Sequence, residues 1–135
     1  MNKLFTPLLL ALFLITGCEN NDFMQSESTV RARLQGSWKM HGSTLQDTKE
    51  TWKMDNGTLT ITRYSGEDTL TDKGLYTVLT KFSKIYVTFS GLTEDDFRPW
   101  ELNNRWNISA LTGSVLSIST KNAGGAIISR EFVKQ

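Results

Sequence analysis

Few residues of this chain carry reactive chemistry, and their spacing excludes more than it suggests. Cys18 is the only cysteine and His41 the only histidine. A thiol or hydroxyl nucleophile needs a base beside it, and a metal site needs a cluster of ligands. A lone histidine meets neither condition. No serine stands in a Gly-x-Ser-x-Gly setting. Glu94, Asp95 and Asp96 form an acidic trio without the alternating oxygens and glycine of a calcium loop, so they read as a solvated helix start. Gly124-Gly125 reads as a turn and not as a phosphate cradle. Paired carboxylates for glycoside chemistry are a spatial property that a sequence does not display. The expectation is a protein without enzymatic activity, cofactor or metal.

Cys18 has a more informative setting. Lys3 precedes an apolar run from Leu4 to Ile15, and the small residues Thr16 and Gly17 come directly before the cysteine. The run has the length of a signal-peptide core and is too short to span a bilayer, which takes about 20 residues. Leu14-Ile15-Thr16-Gly17-Cys18 resembles a bacterial lipobox. That resemblance implies removal of residues 1–17, a thioether-linked diacylglycerol on Cys18 and an acylated new N-terminus, with palmitate as the expected acyl type. Each buried CH₂ contributes about 0.8 kcal/mol, so several chains anchor firmly where one does not. The expected address is the bacterial cell envelope, at the outer membrane, although Glu19 after the cysteine leaves the choice of membrane and leaflet open. The partner implied is a membrane reached through lipid on Cys18.

Without the leader the chain carries 14 basic and 14 acidic residues. A neutral balance offers no electrostatic footprint for nucleic acid. The single thiol, used for lipid, leaves no disulfide, so the core alone must hold the fold.

These considerations divide the chain into a leader (1–17), a lipidated N-terminus and tether (18–29) and one domain (30–135). Ser28 to Gln35 suits a short helix with Ser28 as N-cap and Gly36 as its stop. From Trp38 onward apolar and polar residues alternate, with frequent β-branched residues and closely spaced turns. Asn56-Gly57 between two alternating runs is a strong hairpin signal, since both central residues of a type I′ turn need positive φ. Gly74 to Leu79, Lys84 to Ser90, Asn104 to Ala110, Leu116 to Ser119 and Ala126 to Lys134 read as further strands. Eight or nine short antiparallel strands must hide their edges, by closing into a barrel or by forming a sandwich.

Leu34-Gln35-Gly36-Ser37-Trp38 carries the Gly-x-Trp pattern that opens the first strand of lipocalins. The chain from about residue 30 to 135 resembles the small lipocalin-like domains of bacterial lipoproteins. The resemblance implies an all-β, up-and-down barrel of about eight strands. It also implies that Trp38 packs at a closed end with Arg130, on the last strand, lying across it. The domain is shorter than a typical lipocalin, and the family's other signatures are not visible.

The candidate sites follow. Trp52, Tyr76, Phe89 and Trp106 suit either a cup for a small apolar or amphipathic ligand or a packed core. Leu92 to Trp100 is the longest non-periodic stretch, with Thr93 and Asp96 resembling a capping box and with Phe97, Pro99 and Trp100 close together. Phe97 and Trp100 suit a lid, a plug or a contact with a protein partner, and the last option gives an interaction module of the assembly-factor or inhibitor kind. Asp68-Thr69-Leu70 resembles a short bacterial O-glycosylation motif at Thr69. Oligomeric state has no signal in the sequence.

Overall fold

The structure, a computed structural model, describes residues 25–41 and 48–135. Cys18, the leader and the tether up to residue 24 lie outside the described residues. The fold is a closed barrel of eight antiparallel strands, each paired with its neighbours in sequence and the last paired with the first. The strands are β1 (Gly36–His41), β2 (Thr48–Asp55), β3 (Thr58–Ser65), β4 (Asp68–Lys81), β5 (Lys84–Ser90), β6 (Arg105–Leu111), β7 (Val115–Lys121) and β8 (Ile127–Lys134). This is the all-β, up-and-down barrel of eight strands that the lipocalin resemblance implied, and it decides between the barrel and the sandwich that the alternating pattern left open.

Alternation sets the inside of the barrel. On β2, Glu50, Trp52 and Met54 are buried while Lys49, Lys53 and Asp55 are exposed. The β2–β3 turn is as expected: Asn56 and Gly57 both have positive φ, 47° and 87°, and Asp55 pairs with Thr58 across them. β4 is longer than the Gly74 to Leu79 reading, at 14 residues. Its inward positions continue back through Asp72 and Leu70. A carboxylate in an inward position masked the alternation, and the amides that make it tolerable come from its neighbour Lys73 and from residues 93 and 94, distant in sequence.

Aromatic rings pack against one another in the core. The ring of Trp52 meets Phe89 edge-on, 5.3 Å between centroids at 86°, and tilts against Phe132 at 4.7 Å. Such contacts contribute about 0.5–1.5 kcal/mol beyond the area they bury.

A helix, α1 (Glu27–Leu34), crosses one end of the barrel. Its N-cap is Ser26, whose hydroxyl accepts from the Thr29 amide at 3.2 Å, and not Ser28 as expected. Val30 and Leu34, one helical turn apart, are fully buried against the core. Gly36 then turns the chain into β1 with φ 118°, where an added Cβ would lie 3.0 Å from the Lys134 side chain. The β2–β3, β4–β5 and β6–β7 turns share this end, the helix end. The β3–β4 turn, the β7–β8 turn and the long β5–β6 connection form the opposite end, the loop end.

Candidate functional site

The β5–β6 connection, residues 91–104, is the longest described loop and sits over the loop end. It contains a 3₁₀ turn (Asp95–Phe97) and a single helical turn, α2 (Pro99–Leu102). Leu92, Phe97 and Leu102 point into the barrel and are buried. Their burial makes the loop a plug. The anticipated capping box is absent: the N-cap of the 3₁₀ turn is Glu94, with no side-chain cap.

Polar side chains inside the barrel hold the plug at defined points. Asp72, on β4 and 5 % exposed, accepts the Thr93 and Glu94 amides at 2.9 Å through one oxygen, and the Lys73 amide at 2.8 Å through the other. Asn103 closes the loop on itself, accepting from the Leu92 amide at 3.0 Å and donating to its carbonyl at 2.9 Å. Arg63, from β3, donates to the Asp96 carbonyl at 3.0 Å and lies 4.6 Å from the Phe97 ring centre. The same guanidinium pairs with Glu50 at 2.9 and 3.2 Å, and Glu50 also accepts from the Trp52 indole at 2.7 Å. A carboxylate only 3 % exposed is tolerable because each of its oxygens has a donor.

Arg130 corrects the sequence reading. It was expected across Trp38, but Trp38 pairs with Lys134, whose ammonium lies 5.0 Å from the Trp38 ring centre. Inward positions on β8 recur every second residue, so Arg130 falls four residues nearer the loop end, about 13 Å away. There its guanidinium lies 5.7 Å from the Trp106 ring and donates to Glu101 of α2 at 2.8 Å. Its Nε is buried without a partner. Trp38 instead donates its indole N–H to the Leu34 carbonyl at 2.8 Å, tying α1 to β1. Trp106 does the equivalent at the other end, donating to the Leu102 carbonyl at 3.2 Å.

The remaining candidates separate into inside and outside. Trp52, Tyr76, Phe89 and Trp106 are all buried in one continuous core. Burial pushes the Tyr76 phenol above its ordinary value, against smaller lowering influences from the Gly57 backbone and Arg31. Its hydroxyl makes no hydrogen bond. Phe97 is buried in the core. Trp100 is the exception among the four tryptophans: it is 70 % exposed, while Trp38, Trp52 and Trp106 are fully buried.

Beside Trp100 lies a cleft of about 520 Å³, walled by the plug (Trp100, Glu101, Asn104) and by the end of β7 with the turn that follows it (Thr120, Lys121, Asn122). A second cleft, of about 630 Å³, runs from Arg98, Glu101 and Asn122 to Met40 and Arg130. Glu101 and Asn122 belong to both. His41 borders the second cleft. Among the described residues no group of three or more histidine, cysteine or acidic side chains is arranged to hold a metal. Glu94, Asp95 and Asp96 are exposed, as is Thr69 on the outer face of β4.

Sequence reasoning missed Glu50, Arg63, Asp72 and Glu101. A signal was present: Glu50 is in phase with Trp52 and Met54, and Asp72 with Leu70 and Tyr76. A charge in phase with the apolar face marks either a break in the strand or a buried polar group with partners. No known protein family, curated protein or solved structure matches the chain.

Proposed function

We propose that this chain is a lipid-anchored, lipocalin-like protein of the bacterial cell envelope, held at the outer membrane, without enzymatic activity. Its binding surface lies outside the barrel at the loop end. The lipobox pattern around Cys18 supports the anchor. The observation that carries the binding surface is the contrast among tryptophans. Three are buried, and Trp100 stands exposed at the rim of a cleft on a plug fixed at several points. Exposed aromatic residues on a rigid support are the usual anchors of protein interfaces, since little side-chain entropy is lost on binding. The partner is therefore a protein that covers Trp100 and fills the cleft beside it, as an assembly factor or an inhibitor would require.

Two measurements test this reading. Mass analysis of the membrane-bound protein should find the N-terminal peptide beginning at a lipidated Cys18, and Cys18→Ala should release the chain from membranes. Envelope proteins captured by the wild-type chain should be lost with Trp100→Ala at unchanged thermal stability. The reading of a small apolar ligand inside the barrel is checked by titrating Trp100→Phe with a panel of lipids. A shift in the emission of the three buried tryptophans would place a ligand among them and overturn the external site.

A further inference from the structure

The β4–β5 hairpin carries an anomaly at its tip. Its two-residue turn places Phe82 at φ 55°, while Ser83 is not in the left-handed region. That is the φ signature of a type II′ turn, whose first central position favours glycine. The β3–β4 turn has the ordinary solution, Gly66 at φ 62° in the equivalent place. A bulky residue at positive φ is costly, and Phe82 receives no burial in return, being 92 % exposed. Strain of this kind points toward function.

Three features of its surroundings identify the occupant. Phe82 is flanked by Lys81 and Lys84, which face each other across the hairpin, both exposed. The Lys81 ammonium is 5.8 Å from the Phe82 ring centre. The wider helix end is basic: Arg31, Arg33, Lys53, Lys81, Lys84 and Lys134 stand against Glu27 and Asp55. Finally, the N-terminal segment enters here. Glu27, the first residue of α1, accepts from the Thr80 amide at 3.3 Å, two residues from Phe82. The eight residue steps from Cys18 to Ser26 reach at most about 28 Å when fully extended.

We infer that the Lys81-Phe82-Ser83-Lys84 tip is a membrane-contact element. Phe82 enters the headgroup boundary of the bilayer, and the paired lysines engage anionic lipid headgroups. The inference rests on the lipid-anchor reading, since the tether is what brings this end to the bilayer. An aromatic ring on a turn between two ammonium groups has the amphipathic chemistry of an interfacial anchor, with the apolar part deepest and the charges at headgroup level. The tip therefore orients the barrel. With the helix end held down, the Trp100 cleft at the opposite end faces away from the membrane.

The test uses the mature chain from residue 18 with Cys18→Ser, so that no lipid is attached and the anchor reading is judged separately by mass analysis. Its partition is measured by co-sedimentation with phosphatidylcholine vesicles, with and without phosphatidylglycerol. The expected result is measurable partition onto the phosphatidylglycerol vesicles, weakened by salt. Phe82→Gly should lower that partition at least about ten-fold, and Phe82→Trp should retain it. Lys81→Gln with Lys84→Gln should remove the preference for anionic vesicles. Phe82→Gly should at the same time hold or raise the urea midpoint, because glycine accepts the turn geometry. Equal partition of the wild-type chain and Phe82→Gly would overturn the inference. So would a lowered midpoint with unchanged partition, which would give the ring a structural role, or a wild-type chain that ignores both vesicle types.

Discussion

The helix end and the loop end close the same barrel with different materials. At the helix end, α1 contributes Val30 and Leu34 to the core, and the Trp38 indole satisfies the Leu34 carbonyl. At the loop end, Leu92, Phe97 and Leu102 are also buried, but Asp72, Arg63 and Arg130 fasten the segment that carries them. The two tryptophan-to-carbonyl bonds, Trp38 to Leu34 and Trp106 to Leu102, are near equivalents. A helix satisfies its own backbone, so its closure needs mainly apolar contact. An irregular loop leaves amides and carbonyls to be paired, and those partners must come from the barrel wall. Among the described residues the two buried carboxylates, Glu50 and Asp72, therefore sit toward the end that an irregular segment covers, and that end can hold a rigid, shaped surface.

Mutations at matched positions put this difference to the test. Leu34→Ala should have the largest effect, a loss of about 2–5 kcal/mol from the core and cavity contributions together, read as a lowered urea midpoint. Hydrogen exchange at the Thr93 and Glu94 amides should report only this global loss. Extra local exchange there would mean that the ends are coupled.

Glu50→Ala comes next. It strands the Arg63 guanidinium and the Trp52 indole N–H, and because Arg63 keeps some contact with water the cost should be about 2–3 kcal/mol. Replacing the pair together, Glu50→Leu with Arg63→Met, should recover most of it. Recovery of stability without recovery of amide protection in residues 93–97 would show that the ion pair serves the plug more than the core.

Arg130→Ala and Lys134→Ala separate the two cation–tryptophan contacts. Arg130 loses both Glu101 and Trp106, so about 1–2 kcal/mol is expected, with disorder confined to α2. Lys134→Ala should cost less, roughly 0.5 kcal/mol, because the half-buried ammonium has only a long bond of 3.3 Å to the Arg33 carbonyl besides the ring. A larger effect for Lys134 would reverse the comparison. The smallest effect belongs to Tyr76→Phe. Its hydroxyl lacks a partner, so neutral-pH stability should stay within about 0.5 kcal/mol of wild type. The pH dependence is the sharper readout. Burial keeps the phenol protonated in the folded state above its ordinary pKa of 10.0. The folded state therefore holds the proton more tightly, and this contribution is lost as pH rises above 10.0 toward the folded value. Tyr76→Phe should flatten that alkaline decline in a series of urea midpoints.

Much of the barrel was legible beforehand, for reasons particular residues make plain. Asn56-Gly57 fixed one turn because its φ requirement is local. Trp52 and Met54, Ile85, Val87 and Phe89, and Leu116 and Ile118 marked inward faces because side chains alternate in any strand. The first half of β4 escaped because Asp72 occupies an inward position. The assignment of Arg130 to Trp38 failed because both residues were placed by type and strand, and strand register was not available to separate Arg130 from Lys134. The exposure of Phe82 was equally hidden: Lys81-Phe82-Ser83-Lys84 gives no sign that the turn forces positive φ on phenylalanine.

By itself, then, the sequence determined what is local or periodic: an N-terminal pattern read by its order of residues, the strand alternation, and the turns whose glycine and asparagine accept left-handed geometry. Tertiary structure alone decided which charges could stay inside, which cation meets which tryptophan, and which of the four tryptophans reaches solvent. Those outcomes depend on strand register and barrel closure. Both bring together side chains distant in sequence, and a buried carboxylate or guanidinium is stable only where such neighbours complete its hydrogen bonds.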